Sequence, residues 1–115
     1  MFKRKAEEVN EEEVTKACSS KTTIRWLITK EDGSENYATR RIEIQPDGEV
    51  GLHQHPEEHH IYVLEGEAKF INKDGKTEFT AVKGEVIFIP PNESHKIKNE
   101  TEETFIFLCI IPYLN

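Results

Sequence analysis

Apolar and polar residues alternate over short runs along most of this chain, and Gly, Pro or Asp follows nearly every run. Successive side chains of an extended strand point to opposite faces, so this alternation predicts strands that bury one face. The predicted strands cover residues 23–29, 38–45, 61–64, 67–72, 77–81, 86–89, 96–98 and 104–111. About ten short antiparallel strands with turn residues between them indicate an all-β fold, a jelly-roll-type double sheet.

The first 22 residues do not share this alternation. Within residues 6–16, Val9 and Val14 are the positions suited to burial, and they stand among many glutamates. This pattern predicts a frayed helix or an irregular arm. We therefore divide the chain into an N-terminal arm, residues 1–22, and a barrel domain, residues 23–115. Such an arm can be exchanged with a partner subunit.

The composition is that of one compact domain. The 115 residues can bury a core without disulfides, and a net charge of −7 with scattered Lys and Arg argues against nucleic-acid binding. No apolar stretch approaches the roughly 20 residues of a membrane span, and the N-terminus lacks a secretory h-region. Cys18 and Cys109 are expected to be free thiols, which predicts a cytoplasmic protein.

Histidines are grouped in one segment of the chain. His53, His55 and His59 lie within seven residues, and His95 follows much later. Two histidines one residue apart on a strand point to the same side, and a third beyond Pro56 can approach the same point. Because imidazole is the commonest protein ligand for transition metals, this spacing predicts a metal site. His60 follows His59 directly and is expected to face away.

The glycines and prolines around these histidines carry a family resemblance. The segment from Gly48 to Gly66 resembles the first motif of the cupin family, with a leading gap one residue shorter than the consensus. The second cupin motif is matched in spacing by Gly84, Pro90, His95 and Asn99. The chain therefore resembles a small single-domain cupin. This resemblance implies a cupin-type jelly-roll β-barrel.

The departure from the cupin pattern lies at His59, where the family usually has glutamate. The resemblance implies membership of a four-histidine subgroup with one divalent metal bound by His53, His55, His59 and His95. Manganese (Mn) or iron (Fe) is favoured, and Ni, Co, Cu and Zn are possible. Four neutral imidazoles would leave the metal its full +2 charge. Glu57 and Glu58 are alternative ligands, although a solvated loop explains them better.

Two strands are expected to line the pocket beside the metal. Alternation places Arg40 and Ile42 on the inward face of the strand at 38–45, where Arg40 could bind an acidic ligand or form an internal ion pair with a glutamate. On the last strand, Phe107, Cys109 and Ile111 are candidate pocket residues by resemblance, and core packing alone would also explain them. Both faces of that strand are apolar, which predicts a homodimer.

The resemblance favours a metalloenzyme that acts on a small organic substrate, with an acidic substrate as one option. Oxygenase-type chemistry is the leading prediction, ahead of isomerase or decarboxylase chemistry. The alternative is a non-catalytic cupin module that binds a small molecule or a metal. A fold hosts many chemistries, so the fold cannot decide between these functions. The expected partners are a small-molecule ligand and a second copy of the chain, with neither nucleic acid nor membrane.

Overall fold

The computed structural model describes residues 1–114 and consists of strands and short 3₁₀ turns. The nine strands are β1 (Glu12–Glu13), β2 (Ser20–Ile28), β3 (Tyr37–His53), β4 (His59–Glu65), β5 (Glu67–Ile71), β6 (Thr77–Val82), β7 (Val86–Ile89), β8 (His95–Lys98) and β9 (Phe105–Pro112). The 3₁₀ turns are Ala6–Glu8, Lys16–Cys18 and Lys30–Asp32. The predicted all-β fold is confirmed, with nine strands where about ten were expected.

The strands form one curled antiparallel sheet. Its order is β6-β5-β8-β3-β9-β4-β7, and β2 pairs with β3 while β1 pairs with β2. Strand β3 is central because its first half pairs with β2 and β9, and its second half pairs with β8. The curl brings the ends of β3, β4 and β8 together at one end of the barrel.

One local prediction about β3 is wrong. Pro46, Asp47 and Gly48 were expected to end the strand, but β3 continues through them to His53. Asp47 adopts a left-handed φ of 67°, which bends the chain. Its N–H donates to the carbonyl of Asn99, and the Asn99 N–H donates to the carbonyl of Gly48, so the bend stays attached to the end of β8. Pairing between distant segments thus overrides the local turn signal.

The side chains of the core come from paired positions on β3, β9 and β4. Ile42 pairs with Phe107, which pairs with Val63, and Ile44 pairs with Phe105 one layer further from the site. These five side chains are buried, as the alternation predicts. The Phe105 and Phe107 ring centroids lie 5.3 Å apart in a tilted arrangement. The core therefore fixes the three strands that carry the site.

The opposite face of β9 is part of an apolar outer surface. Side chains of β4, β7 and β9 form it, with Tyr62 48%, Val86 72%, Phe88 57% and Ile110 37% exposed. Register places Tyr62 between Val86 and Leu108, so these side chains adjoin one another. We call this surface the β4–β7–β9 face. Both faces of the last strand were expected to be apolar. One face of β9 is buried in the core, and the other belongs to this outer surface.

The N-terminal segment is an irregular arm rather than an α-helix. Its short strand β1 pairs with β2 of the same chain, with Glu12 opposite Ile24. The 3₁₀ turn Lys16–Cys18 then approaches the second half of β3 so closely that a Cβ on Gly51 would lie 1.7 Å from the Ala17 carbonyl oxygen. The Gly51 N–H donates to Ser19 Oγ over 2.9 Å. Glycine at position 51 therefore lets the arm lie against the mouth of the barrel. None of the helical segments within residues 1–114 has the length and apolar character to cross a membrane.

Candidate metal centre

Four histidines meet at one end of the barrel. His53 is the last residue of β3 and pairs with His95, the first residue of β8, so that their ring centroids lie 4.4 Å apart. His59 begins β4, and its ring centroid lies 4.5 Å from that of His55. One ring nitrogen of each histidine lies within 4.8 Å of the others. The sequence prediction named this set of four, and the fold brings all of it together.

His55 comes from the loop between β3 and β4, and that loop is tied to the segment before β8. The carbonyl of His55 accepts a hydrogen bond from the Asn92 N–H over 2.8 Å. The neighbouring Gln54 Oε1 accepts one from the Ser94 hydroxyl over 2.9 Å. These bonds connect the two chain segments that carry the histidines, so the loop is held in place without regular secondary structure.

Backbone carbonyls fix the orientation of two of the rings. His53 Nδ1 lies 2.7 Å from the Gly51 carbonyl oxygen, and His95 Nδ1 lies 2.9 Å from that of Glu93. A carbonyl can only accept a hydrogen bond, so Nδ1 carries the proton in both rings. Nε2 of each ring is therefore unprotonated and directed into the cluster. A metal-binding histidine is oriented in this way in most metal sites.

The other two rings approach each other directly. Nε2 of His59 lies 2.7 Å from Nε2 of His55. Nδ1 of His59 lies 2.8 Å from Cys109 Sγ. Nδ1 of His55 is buried and has no hydrogen-bond partner among the described residues, and the Glu57 carboxylate lies 3.4 Å from it. Two lone pairs that face each other over such a short distance need a shared proton or a cation between them.

Burial keeps the four imidazoles neutral. Loss of solvent, together with the smaller effect of the nearby Arg40 charge, lowers the pKa of His59 to about 2. Burial likewise lowers the pKa of His95 to about 4, although the Glu93 carbonyl acts in the opposite direction. The pKa values of His53 and His55 are lowered mainly by the same loss of solvent. Metal binding requires neutral imidazole, so these ligands need lose no proton at pH 7.

The cluster fits a single transition-metal ion. A metal–nitrogen bond is about 2.0–2.1 Å long, so two nitrogens on opposite sides of one ion lie about 4.2 Å apart. The largest separation here is within 4.8 Å, and a contraction of a few tenths of an ångström would complete the set. No carboxylate belongs to the cluster among residues 1–114. Glu57 approaches the outer nitrogen of His55, and Glu58 binds His60 on the outside of the barrel, where His60 was expected to point.

A small cavity of about 80 Å³ adjoins the histidines. Four of the five predicted pocket residues, Arg40, Ile42, Phe107 and Cys109, line it. The fifth, Ile111, does not line it and instead packs against the edge of the core. Apart from the histidines, the other barrel residues that line it are apolar: Ile24, Val50, Ile61, Ile89 and Ile97. Such a volume suits a ligand of a few non-hydrogen atoms, because one water occupies about 30 Å³ in the liquid.

Arg40 lies in this cavity without a carboxylate partner in the described part of the chain. Its Nη2 donates to Cys109 Sγ over 2.9 Å and lies 3.3 Å from His59 Nδ1. Its guanidinium carbon lies 5.4 Å from the centroid of the Trp26 ring, and its buried Nε has no hydrogen-bond partner. The structure therefore does not contain the internal ion pair that the sequence left open. A partly buried guanidinium without a counter-ion favours an anion nearby.

The N-terminal arm contributes cavity residues that the sequence did not predict. Val14, Lys16 and Ser19 line the mouth of the cavity. The positive charge of Lys16 contributes to the lowered pKa values of His53, His55 and His95. This contact depends on packing between the arm and β3, and only Gly51 gave any local signal for it. Lys16 adds a second positive group to the cavity.

The fold and the cluster together define a β-barrel protein with a candidate metal site of four histidines. The chain belongs to the cupin family, because the family model described as Cupin domain matches residues 40–111. The resemblance stated from the two motifs is thus confirmed. The four histidines fit the four-histidine subgroup.

Two solved structures and one curated protein are similar to this chain. The polyketide cyclase RemF from Streptomyces resistomycificus is 35% identical, with a TM-score of 0.90 over 97% of this chain and 79% of that one. A predicted oxalate decarboxylase from Thermotoga maritima is 27% identical, with a TM-score of 0.84 over 98% of this chain and all of that one, 100%. An oxalate-binding protein from Thermotoga maritima is 36% identical over 75 residues, which are 64% of this chain and 60% of that protein.

Proposed function

We propose that this cupin binds one divalent transition metal through His53, His55, His59 and His95 and holds a small organic anion beside that metal. The observation that carries the proposal is the charge of the cavity. Arg40 and Lys16 line it together with neutral histidines, and no Asp or Glu within residues 1–114 lines it. A metal bound by four neutral ligands would add its full charge of about +2, so the site favours an anion.

The size of the cavity limits the size of the ligand. A volume of about 80 Å³ accommodates only a small acid, such as the shortest dicarboxylates. One carboxylate of this ligand would lie at the metal, and the other would accept hydrogen bonds from Arg40. The oxalate named for two Thermotoga maritima relatives is of this class. A polyketide, the substrate class in the name of the cyclase, is far larger and would need the arm to move from the cavity mouth.

A bound divalent metal would supply a Lewis acid with coordination positions open to the ligand. The chain itself would bind and orient the acid through Arg40, and Ile42 and Phe107 would exclude water from it. Exclusion of water strengthens the attraction between Arg40 and a carboxylate. For the reaction we propose oxygenase-type chemistry on such an acid, and the names of the Thermotoga relatives favour decarboxylation as the second candidate. Manganese or iron is the proposed metal, with Ni, Co, Cu and Zn as the alternatives.

The experiment is metal analysis followed by ligand titration. Purified protein is expected to contain or accept about one metal ion per chain, and calorimetry of the loaded protein should show oxalate binding but no binding of the neutral oxamide. Arg40→Met should weaken oxalate binding at least tenfold while metal content is retained. Arg41→Met is the matched control, because Arg41 lies on the opposite face of β3 and pairs with Glu43 over 3.5 Å. Equal affinity in both variants would contradict the anion site.

The two reaction classes and the binding module differ in what they consume and release. Oxygen uptake with a panel of small acids would support the oxygenase, and release of CO₂ without oxygen uptake would support the decarboxylase. Tight binding of a panel member without turnover, whichever metal is supplied, would support the non-catalytic module. Each measurement uses the loaded wild-type protein, and Arg40→Met serves as the negative control.

We also propose that a second copy of the chain covers the β4–β7–β9 face. Val86 and Phe88 are more than half exposed there, and an exposed apolar surface of this kind can pair with the same surface of a second copy across a two-fold axis. Light scattering is expected to give a dimer, and Phe88→Glu should give a monomer. Thr77→Glu adds the same charge on the exposed edge strand β6 and should remain dimeric. A monomeric wild type would refute the proposal. Exchange of residues 1–22 between such subunits and a reducing, cytoplasmic location stay predictions.

A further inference from the structure

Cys109 contacts His59, whose ring is not oriented by a backbone carbonyl. The sulfur of Cys109 lies between two nitrogen atoms that can donate hydrogen bonds to it. This Sγ atom is 2.8 Å from His59 Nδ1 and 2.9 Å from Arg40 Nη2. Strand register brings these three side chains into contact, because Cys109 on β9 pairs with Arg40 on β3 and with Ile61 on β4. Ile61 and His59 share one face of β4, so three adjacent strands direct their side chains to one point.

The protonation of His59 depends on which of its neighbours accepts a hydrogen bond. A guanidinium only donates, and Arg40 Nη2 lies 3.3 Å from His59 Nδ1. If Arg40 donated to Nδ1, the His59 proton would have to sit on Nε2, within 2.7 Å of His55 Nε2. His59 would then offer no lone pair to the cluster. The sulfur of Cys109 can accept from both donors, and in that arrangement Nδ1 carries the proton and Nε2 is free.

We propose that Cys109 is a positioning residue for the metal site: its sulfur accepts hydrogen bonds from Arg40 and from His59 Nδ1–H, and so directs the unprotonated Nε2 of His59 at the metal. The inference rests on the proposed four-histidine site. Cys109 would orient the ring of His59 in the way that the Gly51 and Glu93 carbonyls orient the rings of His53 and His95. Cys109 is therefore more than a wall of the cavity, although it touches neither metal nor ligand in this role.

Metal affinity tests the proposal. Cys109→Ala is expected to weaken metal binding about 10–100-fold, the usual effect of removing a group that orients a metal-binding histidine. The double variant Arg40→Met with Cys109→Ala should recover most of this loss, because no guanidinium then competes for His59 Nδ1. Cys18→Ala is the matched control, since Cys18 is the other free cysteine and is exposed. Affinity is measured by competition with a metal-binding dye.

The tautomer of His59 tests it without any metal. In metal-free wild-type protein, ¹⁵N NMR should show His59 protonated on Nδ1, and Cys109→Ala should shift the proton to Nε2. Retention of the Nδ1 tautomer in Cys109→Ala, or no recovery of affinity in the double variant, would overturn the inference. If the tautomer shifts as expected while wild-type protein binds no metal, the proposed function fails and the orientation of His59 by Cys109 stands.

Discussion

Acidification of the metal-free protein is expected to lower its free energy of unfolding, because protons bind to the cluster histidines in the unfolded chain. In the fold, burial lowers the pKa of His59 to about 2 and that of His95 to about 4. In the unfolded chain both regain an ordinary pKa of about 6.5. Between pH 6.5 and these lowered values the unfolded state binds protons that the folded state does not. Stability is therefore complete above pH 6.5 and falls as the pH falls below it.

The magnitude follows from the size of the two shifts. One pKa unit corresponds to about 1.4 kcal/mol. A pH of 5 is about 1.5 units below the pKa of each histidine in the unfolded chain, while both histidines are still neutral in the fold. Each therefore lowers the free energy of unfolding by about 2 kcal/mol. The two together remove about 4 kcal/mol from a stability that is typically about 5–15 kcal/mol. His53 and His55 act in the same direction because their pKa values are lowered too.

The assay is urea unfolding between pH 7.5 and pH 5 in the presence of a chelator. His95→Gln should lose about 2 kcal/mol less stability over this range than wild-type protein, because the contribution of His95 is gone. His60→Gln is the control, because His60 is exposed outside the barrel and its replacement leaves the four-histidine cluster intact. A wild-type stability that is the same at pH 7.5 and pH 5 would refute the reasoning, as would an unchanged slope in His95→Gln.

Three further changes should alter stability or order. A metal at 100 times its Kd should raise the free energy of unfolding by about 2.7 kcal/mol, measured by calorimetry, and His59→Ala should abolish this gain. Asn99→Ala should cost about 3 kcal/mol in urea unfolding, because the buried amide donates to two main-chain carbonyls over 2.9 and 2.8 Å. Gly51→Ala should displace the Ala17 turn, seen as faster hydrogen exchange in residues 14–19, because the new Cβ overlaps the Ala17 carbonyl.

Each of these results has an opposite that would count against its reasoning. Full metal stabilisation in His59→Ala would remove that histidine from the ligand set. A loss in Asn99→Ala no greater than that in Asn72→Ala, which alters an exposed hairpin amide, would show that the buried hydrogen bonds contribute little. Unchanged exchange in Gly51→Ala would mean that the arm tolerates the added methyl group.

The strands could be predicted because their signal is local. Alternation with a period of two marks the buried faces of β3, β4 and β9, and the turn residues mark most of their ends. The continuation of β3 past Pro46 could not be predicted in this way, since it depends on pairing with β8. Two backbone hydrogen bonds between Asp47, Gly48 and Asn99 hold that bend. The spacing match at Asn99 was visible in the sequence, but its part in holding the bend was not.

The histidines of the site could be predicted for a similar reason, and their surroundings could not. Three of the histidines lie within seven residues, and alternation along an extended chain directs His53 and His55 to one side. The contact of Cys109 with His59 joins residues 50 positions apart, and Lys16 reaches the cavity only because the arm folds against Gly51. Contacts of this kind depend on the full topology, so the sequence suggested Cys109 only as a pocket wall and did not suggest Lys16 at all.

The histidine at position 59 connects the metal to the choice of ligand. Cupins usually carry a glutamate at this position, and a carboxylate so close to Arg40 would form an ion pair with it. Its single negative charge would be shared between the guanidinium and the metal, so it would offset one positive charge of the site. With histidine, Arg40 donates to the sulfur of Cys109 instead and keeps its charge uncompensated within residues 1–114. Histidine at this position would therefore leave the proposed site one charge unit more positive than glutamate would, which favours an anionic ligand between the proposed metal and Arg40.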